Sequence, residues 1–230
     1  MIVLGIDSSS DAATAAVVSD GKLLCEYTQN QKKTHSVKML PMVETMLQDV
    51  GISLDSIDVF ACGIGPGSFT GVRIGVATVR AFCDTLEKPA VAVTSLLSLY
   101  ENVKYFDGTV IALIFARENE CFAAAFKDNK EILAPCIMTI DEIIDFSKDT
   151  QCLFVGDGAE INYDALSKVN GARFASSQHN IISAASIAQI GYQKALAGVT
   201  GNSSILSPLY LRKSQAEREY EEKHKNTEDI

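Results

Sequence analysis

The amino-acid sequence predicts an α/β protein made of two similar lobes. Two observations carry this: the same order of strands and helices is used twice, and the spacing of the two copies matches. A polar stretch, Glu101-Asn102-Val103-Lys104-Tyr105, lies between the copies. The expected organisation is an N-terminal lobe over 1–105, a C-terminal lobe over 106–208, and a helix with charged tail over 209–230. That last segment is expected to pack back on the first lobe.

In the first copy, Ile2 to Ile6 is rich in β-formers and runs into the turn Asp7-Ser8-Ser9-Ser10-Asp11. Ala13 to Val18 and Lys22 to Tyr27 read as two further strands joined at Asp20-Gly21, a dipeptide suited to a tight hairpin. A helix is expected from about Ser36 to Val50, a strand from Asp58 to Ile64, and a helix from Thr70 to Leu86. Pro89 ends that helix and Ala90 to Val93 forms another strand. The second copy offers strands at Thr109 to Phe115, Cys121 to Phe126 and Glu131 to Ile137, then a helix from Asp141 to Ser147. A strand from Cys152 to Val155, a helix near Ala159 to Val169 and a long helix from Ser183 to Ala197 complete it.

Composition narrows the function classes. The chain has 230 residues, is 47% hydrophobic and carries a net charge of −9. It is long enough for a sizeable core, and its acidity argues against unaided binding to nucleic acid or to an acidic membrane. The tail holds Glu217, Glu219, Glu221, Glu222, Glu228 and Asp229 beside four basic groups, the pattern of a solvated helix that frays. Six cysteines occur, none in a CxxC pair and nearly all in apolar runs, as expected of buried small hydrophobes. The first residues are too short for a signal peptide, and no apolar run is long enough to span a bilayer, so a cytoplasmic protein is expected.

The most specific stretch is Gly65-Pro66-Gly67-Ser68-Phe69-Thr70-Gly71-Val72-Arg73-Ile74-Gly75, set between a strand and a helix. Such a turn can aim backbone N–H groups at an anion, and it also lets a helix pack tightly on a sheet. The two-lobe grammar resembles the ribonuclease-H-like duplications of actin, the sugar kinases and the Hsp70 ATPase (the ASKHA fold). In those proteins the first hairpin turn wraps a nucleotide phosphate and an Asp positions Mg²⁺. Asp7, Ser8 and Ser9, with Gly65 and Gly67, occupy the corresponding place, so an adenine-nucleotide site there is one reading. A satisfied turn with no ligand is the other. The matching turn of the second lobe, Phe115 to Glu120, has no glycine and two acids, which disfavours a phosphate.

Gly5-Ile6-Asp7-Ser8-Ser9, Thr34-His35-Ser36 with Leu40-Pro41, the long glycine motif and Pro208-Leu209-Tyr210-Leu211-Arg212 together resemble the TsaB (YeaZ) family. The resemblance implies a non-catalytic subunit for threonylcarbamoylation of the adenosine 3′ to the anticodon, in tRNAs reading codons that begin with A. It implies a TsaD-like catalytic subunit and a TsaE-like ATPase as partners, tRNA met only through the complex, and homodimers when the partner is missing. The family usually has an acidic residue near Phe115 and a valine–tyrosine pair near Cys121-Phe122, from which this chain departs.

The residues agree with a role without chemistry. The catalytic relative carries two metal-binding histidines four apart on its first helix, a spacing that puts both on one face. Here His35 is followed by Met39, whose thioether suits such a cation poorly. His179 and His224 lie far away in sequence. No nucleophile–base pair and no HExxH occurs. The expectation is therefore no catalytic residue, no metal and no cofactor. An ATP-dependent kinase or ATPase with Asp7 as Mg²⁺ anchor is the alternative, and a metalloenzyme centred on His35 the third.

The helices following the first hairpins read as a protein interface. On the first, Val37, Leu40, Val43 or Leu47, and Val50 form a stripe expected to face the sheet, and Met39, Met42 and Met46 a neighbouring face. On the second, Val72, Val76, Val79, Cys83 and Leu86 form one apolar face and Ile74, Ala77 and Ala81 another. The candidate interface is Met39, Met42, Met46, Phe69, Thr70, Arg73, Ile74, Ala77, Arg80 and Ala81. Within it the small alanines allow a partner helix close approach, and the arginines can pair with carboxylates.

Overall fold

The structure, a computed structural model, describes residues 1–30, 35–148 and 150–212 (backbone only for residues 35 and 36). The expected charged tail helix lies outside the described residues beyond Arg212. Two five-stranded sheets share one topology. The first has the order β3-β2-β1-β4-β5, formed by β1 (Ile2–Asp7), β2 (Ala12–Ser19), β3 (Lys22–Asn30), β4 (Val59–Gly63) and β5 (Ala90–Val93). The second runs β8-β7-β6-β9-β10, formed by β6 (Thr109–Arg117), β7 (Glu120–Lys127), β8 (Lys130–Thr139), β9 (Cys152–Val155) and β10 (Ala172–Phe174). In each, three antiparallel strands precede two that join in parallel. This is the duplicated ribonuclease-H-like, ASKHA-type fold.

Turn chemistry sets the hairpins. Asp20 and Gly21, and Asp128 and Asn129, take left-handed backbone conformations that match the twist of the strands they join. Helices α1 (His35–Asp49) and α2 (Phe69–Leu86) cover the outer face of the first sheet, where Met42, Val43, Leu47, Val72, Val76 and Val79 meet Leu4, Ile6, Ala15 and Val17. Helices α4 (Ile140–Ser147), α5 (Asp157–Ile161) and α6 (Tyr163–Leu166) cover the outer face of the second. Between the sheets lie α3 (Ser95–Glu101) and α7 (Ala184–Leu196), in one core that joins Val3, Val59 and Val91 to Val110, Ala112 and Phe126.

Three departures from the sequence reading have local causes. The long helix expected in the second lobe, α7, sits on β1, β2 and β4 of the first sheet, so the lobes exchange an element. Helix α3 is an addition, capped by Thr94, whose hydroxyl accepts the Leu97 N–H at 3.2 Å. Its buried Ser95, Leu96, Ser98, Leu99 and Tyr100 leave no polar face to mark a period. The helix expected near Ala159 to Val169 is split into α5 and α6, because the Asn162 amide donates to the Gly158 carbonyl and competes with the helical ladder.

Glu26 on β3 clamps α7 to the first sheet. Its carboxylate accepts the Ser183 hydroxyl at 2.8 Å and the Ala185 N–H at 3.0 Å, placing negative charge at the α7 N-terminus. Replacing Glu26 by Ala removes both acceptors. Urea denaturation of Glu26→Ala should show a loss of about 1–2 kcal/mol, with Glu26→Gln losing less because its amide oxygen still accepts.

Candidate functional site

The glycine motif is spent on the turn that a nucleotide would need. Asp7, Ser8 and Ser9 are buried. The Asp7 carboxylate accepts the Ser9 N–H at 2.8 Å and the Ser9 hydroxyl at 2.9 Å, and Ser9 Oγ also meets Ser95 Oγ at 2.8 Å. Ser8 Oγ donates to the Gly71 carbonyl at 2.8 Å, and the Ser68 N–H donates to the Ser9 carbonyl at 2.6 Å. A methyl group at Gly67 would lie 2.2 Å from the Ser9 carbonyl oxygen, and one at Gly71 2.0 Å from that of Ser8. The same group at Gly63 would strike the Asp7 carboxylate. Gly65, at φ +91°, turns the chain into Pro66 through a cis peptide bond. The loop therefore rests on the turn backbone to backbone. Of the residues read as an anion cradle, the Asp7 carboxylate and the Ser8 and Ser9 hydroxyls are hydrogen-bonded within the chain, and the Gly65 carbonyl accepts the Ser95 N–H.

The cleft between the lobes is small and carries acidic groups. It encloses about 170 Å³ and is lined by Ser10, Asp11, Asn30, Asp157, Glu160 and Asn180 among others, with no basic residue among the described residues. Asp157 Oδ1 accepts the Phe115 N–H at 3.0 Å. The residue keeps an exposed flank, yet packing around its carboxyl raises its pKa, and Asp11 and Glu160 add to the rise. Asn180 donates to Glu160 at 2.7 Å and accepts the Gly156 N–H at 2.8 Å. At the divergent second-lobe positions Cys121 and Phe122 are buried core, and burial pushes the Cys121 thiol up to about 12. Among the described residues no group of three or more His, Cys, Asp or Glu is placed to hold a metal, and no helix is long and apolar enough to cross a membrane.

Helices α1 and α2 present the most distinctive surface. Met39, Met42 and Met46, assigned from the sequence to the interface, instead lie in the core at 1%, 5% and 0% exposure. With Val43 and Leu47 they form the i, i+3, i+4, i+7, i+8 face that meets the sheet. Val37 and Leu40, expected to face the sheet, point outward at 71% and 52% exposure. The helix carries two apolar stripes about 100° apart, and flexible thioethers fill the irregular gap over the sheet better than branched chains do. On α2, Val72, Val76, Val79 and Cys83 are buried, while Thr70, Arg73, Ala77 and Ala81 are exposed and Ile74 and Arg80 half-buried. Between the helices runs an apolar groove of about 380 Å³, lined by Leu40, Val43, Glu44, Leu47, Ile52, Leu54 and Phe82.

A strap from Gly201 to Arg212 crosses the first lobe beside this face. Gly201 bridges β5 at Ala90, Leu206 is fully buried, and the Leu209 N–H donates to the Ile64 carbonyl at 2.8 Å. Tyr210 stacks on Phe69 with ring centroids 4.5 Å apart and accepts the Arg73 Nε–H at 2.7 Å. The Arg73 guanidinium lies 3.9 Å above the Phe69 ring. Sequence reasoning placed Phe69 and Arg73 on this face and missed Val37, Leu40 and Tyr210. The signal for Tyr210 was its place in the Pro208 to Arg212 motif.

Fold and site together define a two-lobed ASKHA-type protein with a closed phosphate turn and an exposed helical face that is apolar and arginine-bearing. A sequence model of the family described as "TsaD: tRNA N6-adenosine threonylcarbamoyltransferase" matches residues 22–220. The Bacillus subtilis "tRNA threonylcarbamoyladenosine biosynthesis protein TsaB" is 29% identical over 98% of this chain and 100% of its own. Its Escherichia coli counterpart is 33% identical over 55% of each chain. Among solved structures, YeaZ from Pseudomonas aeruginosa superposes with a TM-score of 0.78 at 24% identity, over 91% of this chain and 99% of that one. A ROK hexokinase from Thermus thermophilus, at 0.52 and 11% identity over 86% and 100%, shares the fold. The chain belongs to this threonylcarbamoyladenosine family, on its TsaB (YeaZ) branch.

Two tests follow from the site. Gly71→Ala should destabilise the protein by about 3 kcal/mol in chemical denaturation, since backbone bounds the new methyl group on the Ser8 side. Asp157→Asn keeps the acceptor oxygen and removes a charge that the folded state disfavours. A raised carboxyl pKa costs stability as pH rises through it, so Asp157→Asn should melt higher than the parent at pH 7. The difference should shrink as pH falls through the raised value toward the ordinary 3.8 and vanish below it, where the carboxyl is protonated in folded and unfolded chains alike.

Proposed function

We propose that the protein is the non-catalytic subunit in tRNA threonylcarbamoyladenosine formation. It binds a TsaD-like catalytic subunit through the outer face of α1 and α2, and a TsaE-like ATPase joins the pair. The tRNA is met only through the assembled complex. The carrying observation is that face: Val37, Leu40, Ala77 and Ala81 are exposed and Ile74 half-buried beside an apolar groove, on helices whose other stripe already fills the core. A surface helix rarely carries two apolar faces unless a second protein covers one. The names of the relatives support the pathway, and the family model that matches is that of the transferase subunit.

The closed turn supports a role without nucleotide chemistry, since its donors and carboxylate are engaged within the chain. In the absence of the catalytic subunit, the same face pairs two copies of the chain. Light scattering after gel filtration, with and without the TsaD-like subunit, tests both statements. Ala77 is exposed on α2, so Ala77→Glu should keep the parent melting temperature and abolish association with the catalytic subunit. Unchanged association would place the interface elsewhere. Tight Mg²⁺–ATP binding with turnover by the isolated chain would return the kinase reading.

A further inference from the structure

We infer that the C-terminal strap holds the two arginines of α2 in place as a preformed receptor for a pair of carboxylates on the binding partner. The inference rests on the α1–α2 face being the partner interface and goes on to say what reads the partner there.

Two observations on separate residues carry it. Arg73 is exposed, yet its guanidinium has one defined setting: stacked 3.9 Å over Phe69 and bonded through Nε to Tyr210 at 2.7 Å. Those contacts occupy one face and one N–H, leaving the terminal nitrogens for a bidentate acceptor. Arg80 is half-buried against the Ser203–Ile205 turn, reaching the Ser204 carbonyl at 3.5 Å, and its Nε is buried with no hydrogen-bond partner. Neither arginine has a carboxylate within ion-pair distance among the described residues. In a chain with 29 acidic groups and 20 basic ones, two cations on one helix face without a carboxylate partner among the described residues fit an external acid.

The spacing defines the partner. Arg73 and Arg80 are seven residues apart, about 10 Å along the helix, with Ala77 between them. The occupant that fits is a helical face of the other subunit with two carboxylates about two turns apart and small or apolar residues between. Guanidinium groups already held by stacking lose less freedom on binding than free side chains, so the strap adds affinity without touching the partner. Tyr210 and the Ser203–Ile205 turn are positioning elements, and Arg73 and Arg80 are the contacts.

The test is a double-mutant cycle on the full chain with its TsaD-like subunit, read by calorimetry at two salt concentrations. Arg73→Ala should weaken association by about tenfold or more and flatten its salt dependence. Tyr210→Ala should weaken it by about threefold to tenfold, and Tyr210→Phe by less, since stacking survives. In the Arg73→Ala background, Tyr210→Ala should have no further effect. Equal melting temperatures identify variants that are folded. Wild-type affinity in Tyr210→Ala overturns the inference while leaving the interface standing. So does a loss that persists undiminished without Arg73, or one seen only in self-association. If the parent chain does not bind the catalytic subunit at all, the proposed function falls, and this inference with it.

Discussion

The close seating of the glycine loop on the Asp7–Ser9 turn is the constraint on which the rest depends. Main-chain atoms meet main-chain atoms there: Ser68 N–H reaches the Ser9 carbonyl at 2.6 Å, and any side chain at Gly67 or Gly71 would overlap the turn. Residues with a Cβ would lift the loop by the width of a methyl group. The start of α2 would move with it, because Ser68 is both the loop's contact with the turn and the cap of the helix, accepting the Gly71 N–H at 3.2 Å. One contact therefore ties the loop to the turn and fixes where α2 lies.

That placement explains the unusual composition of α2. One face must be apolar to meet β1 and β4, and it is, through Val72, Val76, Val79 and Cys83. The opposite face carries charge only at Arg73, Arg80 and Asp84, and its small residues Ala77 and Ala81 lie between the arginines and beside them. A monomer gains little from exposed Val37 and Leu40, which each forgo part of the ~1.5–3 kcal/mol that full burial supplies. Retaining them is economical only if another surface removes them from water. The arginines add orientation to that apolar contact, since charged pairs discriminate among partners more than they tighten binding.

Much of the fold was legible because turns and strand order speak locally. Asp20-Gly21 and the β-rich runs gave the hairpins, and repeated order revealed the duplication. What escaped reading was long-range. Nothing in α7 says that it will lie on β1 rather than beside β9. The buried α3, with serines facing Ser9 and Ser183, shows no amphipathic period to find. The phase of α1 was misread for a related reason: Met39 and Leu40 are neighbours of similar apolarity, and only the shape of the space above the sheet decides between them. The α2 face of Thr70, Arg73, Ile74, Ala77 and Ala81 was readable because small and apolar residues stood where charge is normal. Tyr210 was not, since its partners Phe69 and Arg73 lie 137 residues away in the case of the hydrogen bond.

The closed turn and the open face are two sides of one design. In a two-lobed protein that handles nucleotide, the first hairpin turn must stay free to meet phosphates, and the loop above it must be able to yield. Here the turn's carboxylate and hydroxyls are bonded to Ser9, Ser95 and Gly71, so the loop has nothing to yield to. The strap adds a second tie through Leu209 to Ile64 and Leu206 into the core, on the far side of the same loop. A helix anchored at its N-terminus from both sides presents a face of constant shape, and such a face binds with little ordering cost. The internal bonding of the turn is thus what holds the start of the neighbouring helix in one place.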